Sequence, residues 1–247
     1  MTRAQDDPPA QDRQHGHGHA HGHGHAHGHG HANDQGIQGA LRYLRWLPQM
    51  WRSPINDAVI ELVDPQPGER VLDIGAGMGA GAVPAAARGA SVLAVEPTPF
   101  VRRALRARRV VSRHRKRLTV LEGSAERIPV PDHSVDALWA VNTMHHWVDV
   151  EKGASEIARV LRPGGRVLLI DEVFTDPAHP EHDRFGADHG PEHHGFTMVE
   201  ADRMGALLRG VGLANVDASN RAVAGRPAIC VTAHGPASSV ERDAGRR

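Results

Sequence analysis

Val71-Leu72-Asp73-Ile74-Gly75-Ala76-Gly77-Met78-Gly79 is the stretch that most constrains the fold of this chain. A short β-branched and leucine run after the breakers Pro67-Gly68 reads as a buried parallel strand, and the Ala-rich stretch from Ala80 to Arg88 reads as the helix that follows. Alternating glycines between them permit positive φ in a tight turn, remove Cβ atoms where a ligand lies against the backbone, and aim the helix N-terminus at that ligand. Strand, glycine turn and helix in this order predict a nucleoside site in an α/β domain.

Two cofactor classes share this geometry. Gly75, Gly77 and Ala80 fit the G-x-G-x-x-G/A fingerprint of dinucleotide binding. Read as D-x-G-x-G-x-G, Asp73, Gly75, Gly77 and Gly79 resemble motif I of the class I S-adenosylmethionine-dependent methyltransferases, in which the acid lies near the amino acid end of the cofactor. A carboxylate two residues before the first glycine repels a pyrophosphate and attracts an ammonium and a sulfonium, which favours the methyltransferase reading. Ser91–Val95 predicts the next strand, and Glu96 at its end can accept both ribose hydroxyls under either reading. Pro84 lies past the usual first-turn position and is expected to shorten or bend the intervening helix.

Leu118–Leu121 reads as a third strand, and after it Gly123, Ala125, Ile128, Pro129, Asp132, Ser134 and Asp136 fall in register with the methyltransferase pattern G-D-A-x-x-L-P-F-x-D-x-S-F-D. Ser124 stands where that family has an aspartate for the adenine amino group, so the resemblance leaves a neutral hydroxyl and the Ala125 N–H to recognise adenine. A fourth strand, Val135–Val141, ends in Asn142-Thr143-Met144-His145-His146-Trp147. Ligands of open parallel sheets bind beyond the carboxyl ends of the strands, so this loop faces the cofactor. The resemblance places Asn142 near the sulfonium. His145 and His146 are candidate catalytic bases or shape elements, or one faces solvent while the other caps a helix. Asp149 is expected to cap the next helix, and Leu161-Arg162-Pro163-Gly164-Gly165 resembles the family's turn into its fifth strand, Arg166–Asp171.

The resemblance implies a doubly wound Rossmann-like sheet of seven mostly parallel strands with helices on both faces. It also implies S-adenosyl-L-methionine as cofactor, bound by Asp73, Gly75, Ala76, Gly77, Gly79, Glu96, Ser124, Ala125 and Asn142. The last two strands, about Asn215–Ala218 and Ala228–Ala233, should form its antiparallel hairpin. Thr197-Met198-Val199-Glu200 reads as a capping box opening a helix to Gly210. The sequence does not name the methyl acceptor; a small molecule is expected, enclosed by helices over 37–64 and a polar insertion over 174–196 that carries His179, His182, His189, His193 and His194. Ser53-Pro54 should open the second of those helices, with Ser53 as its cap.

The 247 residues suit one domain over 36–235 with tails at 1–35 and 236–247, both expected to be disordered. In the first tail, His15, His17, His19, His21, His23, His25, His27, His29 and His31 alternate with glycine or alanine. Such a segment has little to bury, and its imidazoles ligate nickel, zinc or copper; it reads either as a metal-binding tail or as a low-complexity expansion. Lys+Arg 29 balance Asp+Glu 29, so no whole-protein field draws the chain to nucleic acid or an anionic membrane. Nine basic residues cluster over 102–117 without an aromatic among them, which reads as a solvated face rather than a nucleic-acid surface. Cys230, the single cysteine, sits in an apolar run as a core filler. The absence of an apolar span or signal core predicts a cytoplasmic protein. Two other functions stay open at this point: a nicotinamide-dependent oxidoreductase, and a metal-binding protein on an inactive methyltransferase core.

Overall fold

The computed structural model describes residues 53–185 and 198–236. The His tract, the first of the helices expected over 37–64, His189, His193, His194 and most of the C-terminal tail lie outside the described residues. Helices α1 (Pro54–Val63), α2 (Ala82–Ala87), α3 (Pro99–Val111), α4 (Val150–Val160), α5 (His182–Phe185) and α6 (Ala201–Gly210) accompany strands β1 (Arg70–Ile74), β2 (Ser91–Val95), β3 (Leu118–Leu121), β4 (Val135–Val141), β5 (Leu161–Glu172), β6 (Ala214–Val223) and β7 (Arg226–His234).

The strands form one sheet in the order β3-β2-β1-β4-β5-β7-β6. The first five are parallel, and β7 runs antiparallel to both β5 and β6. Strand periodicity divides the apolar residues between two cores. Leu72, Ile74, Leu138, Ala140 and Leu169 pack with Ile157 of α4 and Met204 and Leu208 of α6. Val71, Val92, Trp139 and Ile170 pack on the opposite face with Val59 of α1, Ala85 of α2 and Leu105 of α3. Both faces being covered explains why the parallel strands read as continuous apolar runs.

Four expectations are corrected. The helix after the glycine turn begins at Ala82, not Ala80, and this start puts Pro84 in its first turn, where the missing N–H has no intrahelical partner to lose. Ser53 precedes α1 but its side chain caps nothing in the helix; its hydroxyl lies 3.5 Å from Glu172 Oε1. Glu200 is itself the N-cap of α6, so it is not the third helical residue that a capping box with Thr197 requires. Leu161 pairs with Val135, and the ladder resumes only at Arg166 opposite Ala137, so the Arg162–Gly165 turn lies within β5 instead of before it. Asp149 caps α4 as expected, accepting the Lys152 N–H at 2.8 Å. The β6–β7 hairpin turns at Ala224-Gly225, both at positive φ.

Candidate active site

The carboxyl ends of β1, β2, β4 and β5 meet at one edge of the sheet. The Gly75 and Ala76 N–H groups donate to the Val95 carbonyl, which folds the glycine turn across the end of β2. Gly75, Gly77 and Gly79 all adopt positive φ. Two of these glycines also make room for protein. A Cβ on Gly75 would lie 2.5 Å from Thr143 Cγ2, and one on Gly79 would lie 2.7 Å from Leu105 Cδ1. The first contact sets the loop after β4 directly against the turn after β1.

Two buried acids flank this turn. Glu96, 5 % exposed, accepts the Gly77 N–H and the Thr98 N–H, each at 2.9 Å. Burial nevertheless raises the Glu96 carboxyl above its ordinary range, against those hydrogen bonds and the Arg102 charge. Asp73, 4 % exposed, is pushed up to about 7 by burial, with the Glu96 charge adding to the effect. The Trp139 indole and the Ala82 N–H oppose that rise, although Trp139 Nε1 completes no hydrogen bond. Two acids held close in an apolar setting resist ionising together and are both relieved by a cation. This donor set fits a ligand carrying an ammonium, a sulfonium and vicinal hydroxyls, and disfavours a pyrophosphate.

After β3, Ser124 and Arg127 exchange backbone hydrogen bonds in a tight turn. The Ala125 methyl joins the core on the α4 side. Arg159 of α4 holds this loop down by donating to the Ile128 and Val130 carbonyls while pairing with Asp132 and Glu156. Asp136 likewise serves the scaffold, accepting the Arg70 N–H at 2.8 Å and pairing with Arg162.

The loop after β4 is organised by the last two residues of β5. Asp171, fully buried, accepts the backbone N–H groups of Thr143 and His145 at 2.9 and 3.0 Å, and lies 2.8 Å from His145 Nδ1. A carboxylate only accepts, so Nδ1 carries the hydrogen, and in the neutral form of the ring the lone pair is left on Nε2. His146 is exposed, its ring tilted against that of His145 at 4.0 Å. His145 therefore caps no helix; it is anchored on a buried acid. Thr143 Oγ1 is buried without a hydrogen-bond partner.

Asn142 is at φ 52°, and Glu172 engages both ends of its amide: Nδ2 donates to Oε1 and Oδ1 accepts the Glu172 N–H, each at 2.7 Å. Its side chain is thus turned along β5. Glu172 Oε2 also takes Arg226 at 2.7 Å and His179 Nε2 at 3.0 Å. Because His179 Nδ1 accepts the Glu181 N–H, its imidazole is the neutral tautomer that donates from Nε2. The first histidine of the insertion is therefore buried beside the site, not spread in water.

Sequence reading missed Asp171, Glu172 and Arg226 as site residues, and named His179 only among the histidines of the insertion. A signal existed for the first two, which are acids at the carboxyl end of a central strand. Nothing local marked Arg226, which arrives through the antiparallel return of β7.

Residues 72–169 match the family model of a methyltransferase domain. Over those residues the chain carries a methyltransferase domain. The domain is similar to an uncharacterised methyltransferase of Mycobacterium tuberculosis, 41% identical over 111 residues that cover 45% of this chain and 43% of that protein. It is also similar to a demethylmenaquinone methyltransferase of Clavibacter sepedonicus, 33% identical over 132 residues that cover 53% of this chain and 50% of that one. The matched part thus spans half the length of these relatives or less. The fold is that of a methyltransferase from Aquifex aeolicus, with a TM-score of 0.55 and 20% identity over 72% of this chain and 88% of the other.

Proposed function

We propose that the protein transfers a methyl group from S-adenosyl-L-methionine to a small-molecule acceptor. The observation that carries this reading is the pair of buried acids, Asp73 and Glu96, flanking a positive-φ glycine turn at the carboxyl ends of β1 and β2. Asp73 offers charge to the amino acid end, Glu96 offers acceptors to the ribose, and Ser124 and Ala125 border the adenine side. The cofactor supplies an electrophilic methyl whose departure leaves a neutral thioether, so no strong acid is needed at the leaving side. Holding acceptor and methyl in line contributes roughly 7–11 kcal/mol toward the barrier in well-oriented systems.

His145 is the proposed base. Asp171 holds its ring and fixes the tautomer, and the Nε2 lone pair takes the proton of an acceptor hydroxyl or amine as the new bond to carbon forms. His146, on the exposed side, contributes shape. The demethylmenaquinone methyltransferase among the relatives supports an acceptor of small-molecule class.

The test is calorimetry with S-adenosylhomocysteine and with NAD. S-adenosylhomocysteine binds the wild type, and Gly77→Asp abolishes that binding by placing a carboxylate beside Glu96, which Gly77 N–H now contacts. NAD binding as tightly as S-adenosylhomocysteine would overturn the reading in favour of an oxidoreductase. The nine histidines from His15 to His31 are proposed as a divalent-metal tail separate from the transfer site, on the strength of imidazole chemistry and spacing.

A further inference from the structure

The whole-chain charge balance conceals a strong asymmetry. Nine of the 29 basic residues lie between Arg102 and Arg117 and none of the 29 acids does, so 29 less nine leaves 20 basic residues against 29 acidic ones elsewhere. The structure sorts the nine. Arg102 is buried, pairs with Glu122 and donates to the Glu96 and Pro97 carbonyls; Arg108 reaches back to the Met78 carbonyl. Arg109 donates to the Leu118 carbonyl. These three serve the fold, which corrects the reading of the whole stretch as solvated. Arg103, Arg106, Arg113, Arg115, Lys116 and Arg117 are exposed.

Among these cations stand Val110, 66 % exposed, and Val111, 82 % exposed, at the end of α3. Beside them a groove of about 360 Å³, lined by Arg106, Arg109, Val110, Thr119 and Val120, runs along β3, the edge strand of the sheet. Cationic walls around an apolar floor, with two bare valines at the rim, match a surface that presents anionic head groups over hydrocarbon. Single-stranded nucleic acid would instead call for stacking side chains, and no aromatic residue lies between Val101 and Leu118.

We propose that the C-terminal end of α3 and the turn after it dock the protein on an anionic phospholipid surface. The surplus of acids elsewhere on the chain orients the approach, since only this face is attracted. Helix α3 starts after the end of β2 and returns to the start of β3, so the docking face lies at the amino end of the sheet, opposite the candidate active site. Docking therefore leaves the site open to water and holds the protein at the surface without blocking turnover.

The experiment is co-sedimentation of the full chain with vesicles of phosphatidylcholine alone and of phosphatidylcholine mixed with phosphatidylglycerol, at about pH 8 so that the His tract is uncharged. Wild type partitions onto the anionic vesicles at least tenfold more than onto neutral ones, and salt of about 0.5 M reverses this. Arg113→Gln/Arg115→Gln/Lys116→Gln/Arg117→Gln loses at least tenfold of that binding. Val110→Ser/Val111→Ser loses severalfold and keeps the salt dependence. Both variants retain the wild-type affinity for S-adenosylhomocysteine, which separates this outcome from any failure of the transfer reading and reports that they fold. Equal binding to both vesicle types, unchanged binding by the fourfold variant, or retention on a single-stranded RNA oligonucleotide but not on anionic vesicles would each overturn the proposal.

Discussion

Asp73 carries the clearest conflict between stability and ligand binding. Its carboxyl titrates at about 7 in the folded protein, against an ordinary value of 3.8. Between about pH 4 and pH 7 the native state holds a proton there that the unfolded chain has released, so this group makes native stability fall as pH rises through that window. Asp73→Asn removes the fall; urea unfolding of the ligand-free protein near pH 8 should show a gain of about 1–3 kcal/mol. Cofactor binding moves the other way. An ammonium beside the ionised form draws the proton off, so wild-type affinity for S-adenosylhomocysteine rises as pH passes through about 7, whereas the Asn variant binds weakly and without that rise. Titration calorimetry in buffers of different ionisation enthalpy reads the released proton directly. At the same turn, Gly75→Ala sets a methyl against Thr143 at a φ of 69° and should cost about 2–4 kcal/mol in thermal or urea unfolding. Pairing it with Thr143→Gly relieves the overlap but not the φ, so only part of the loss returns.

The ends of β4 and β5 act as one element. Asp171 gathers the backbone and ring of the loop after β4, and Glu172 gathers Asn142, His179 and Arg226. Asp171→Asn gives His145 Nδ1 an amide that can donate, and the ring hydrogen moves to Nε2. Nitrogen-15 NMR of the ring should show the two nitrogens exchanging character, and turnover of an acceptor should fall by about 10²–10⁴ with S-adenosylhomocysteine affinity intact. Unchanged turnover with the tautomer reversed would reduce His145 to a shape element. On the neighbouring loop, Arg159→Ala frees the Ile128 and Val130 carbonyls and the Asp132 and Glu156 carboxylates together. The expected result is a lowered melting temperature and about tenfold weaker cofactor binding, because the adenine side loses its fixed loop rather than a contact.

Across the whole molecule, two apolar cores lie on opposite faces of a seven-stranded sheet, with the candidate site at one end and the basic turn after α3 at the other. Among the described residues no helix is long and apolar enough to cross a membrane. Deleting residues 1–35 should abolish retention on divalent-metal resin while leaving unfolding and cofactor affinity unchanged. The retention of the full chain should weaken below about pH 6.5, where protonated imidazole no longer ligates. Loss of cofactor binding on deletion would show that the tail belongs to the fold.

The sequence alone determined the features that repeat or act locally. Short, largely apolar runs of four to seven residues announced β1 to β4, and the ends of β1 and β2 placed Asp73 and Glu96 at the same edge as the glycine turn. Asp149 was legible as a cap because a cap is satisfied within three residues. Tertiary structure decided whatever depends on partners distant in the chain. The start of α2 depended on which turn would accommodate Pro84, and Ser53, which reads as a helix cap, turned to a carboxylate 119 residues away. Glu172, His179 and Arg226 became one constellation only when β7 returned antiparallel beside β5 and the chain after β5 folded back over it. A buried acid is costly unless donors converge on it, and no local pattern of residues shows where those donors will come from.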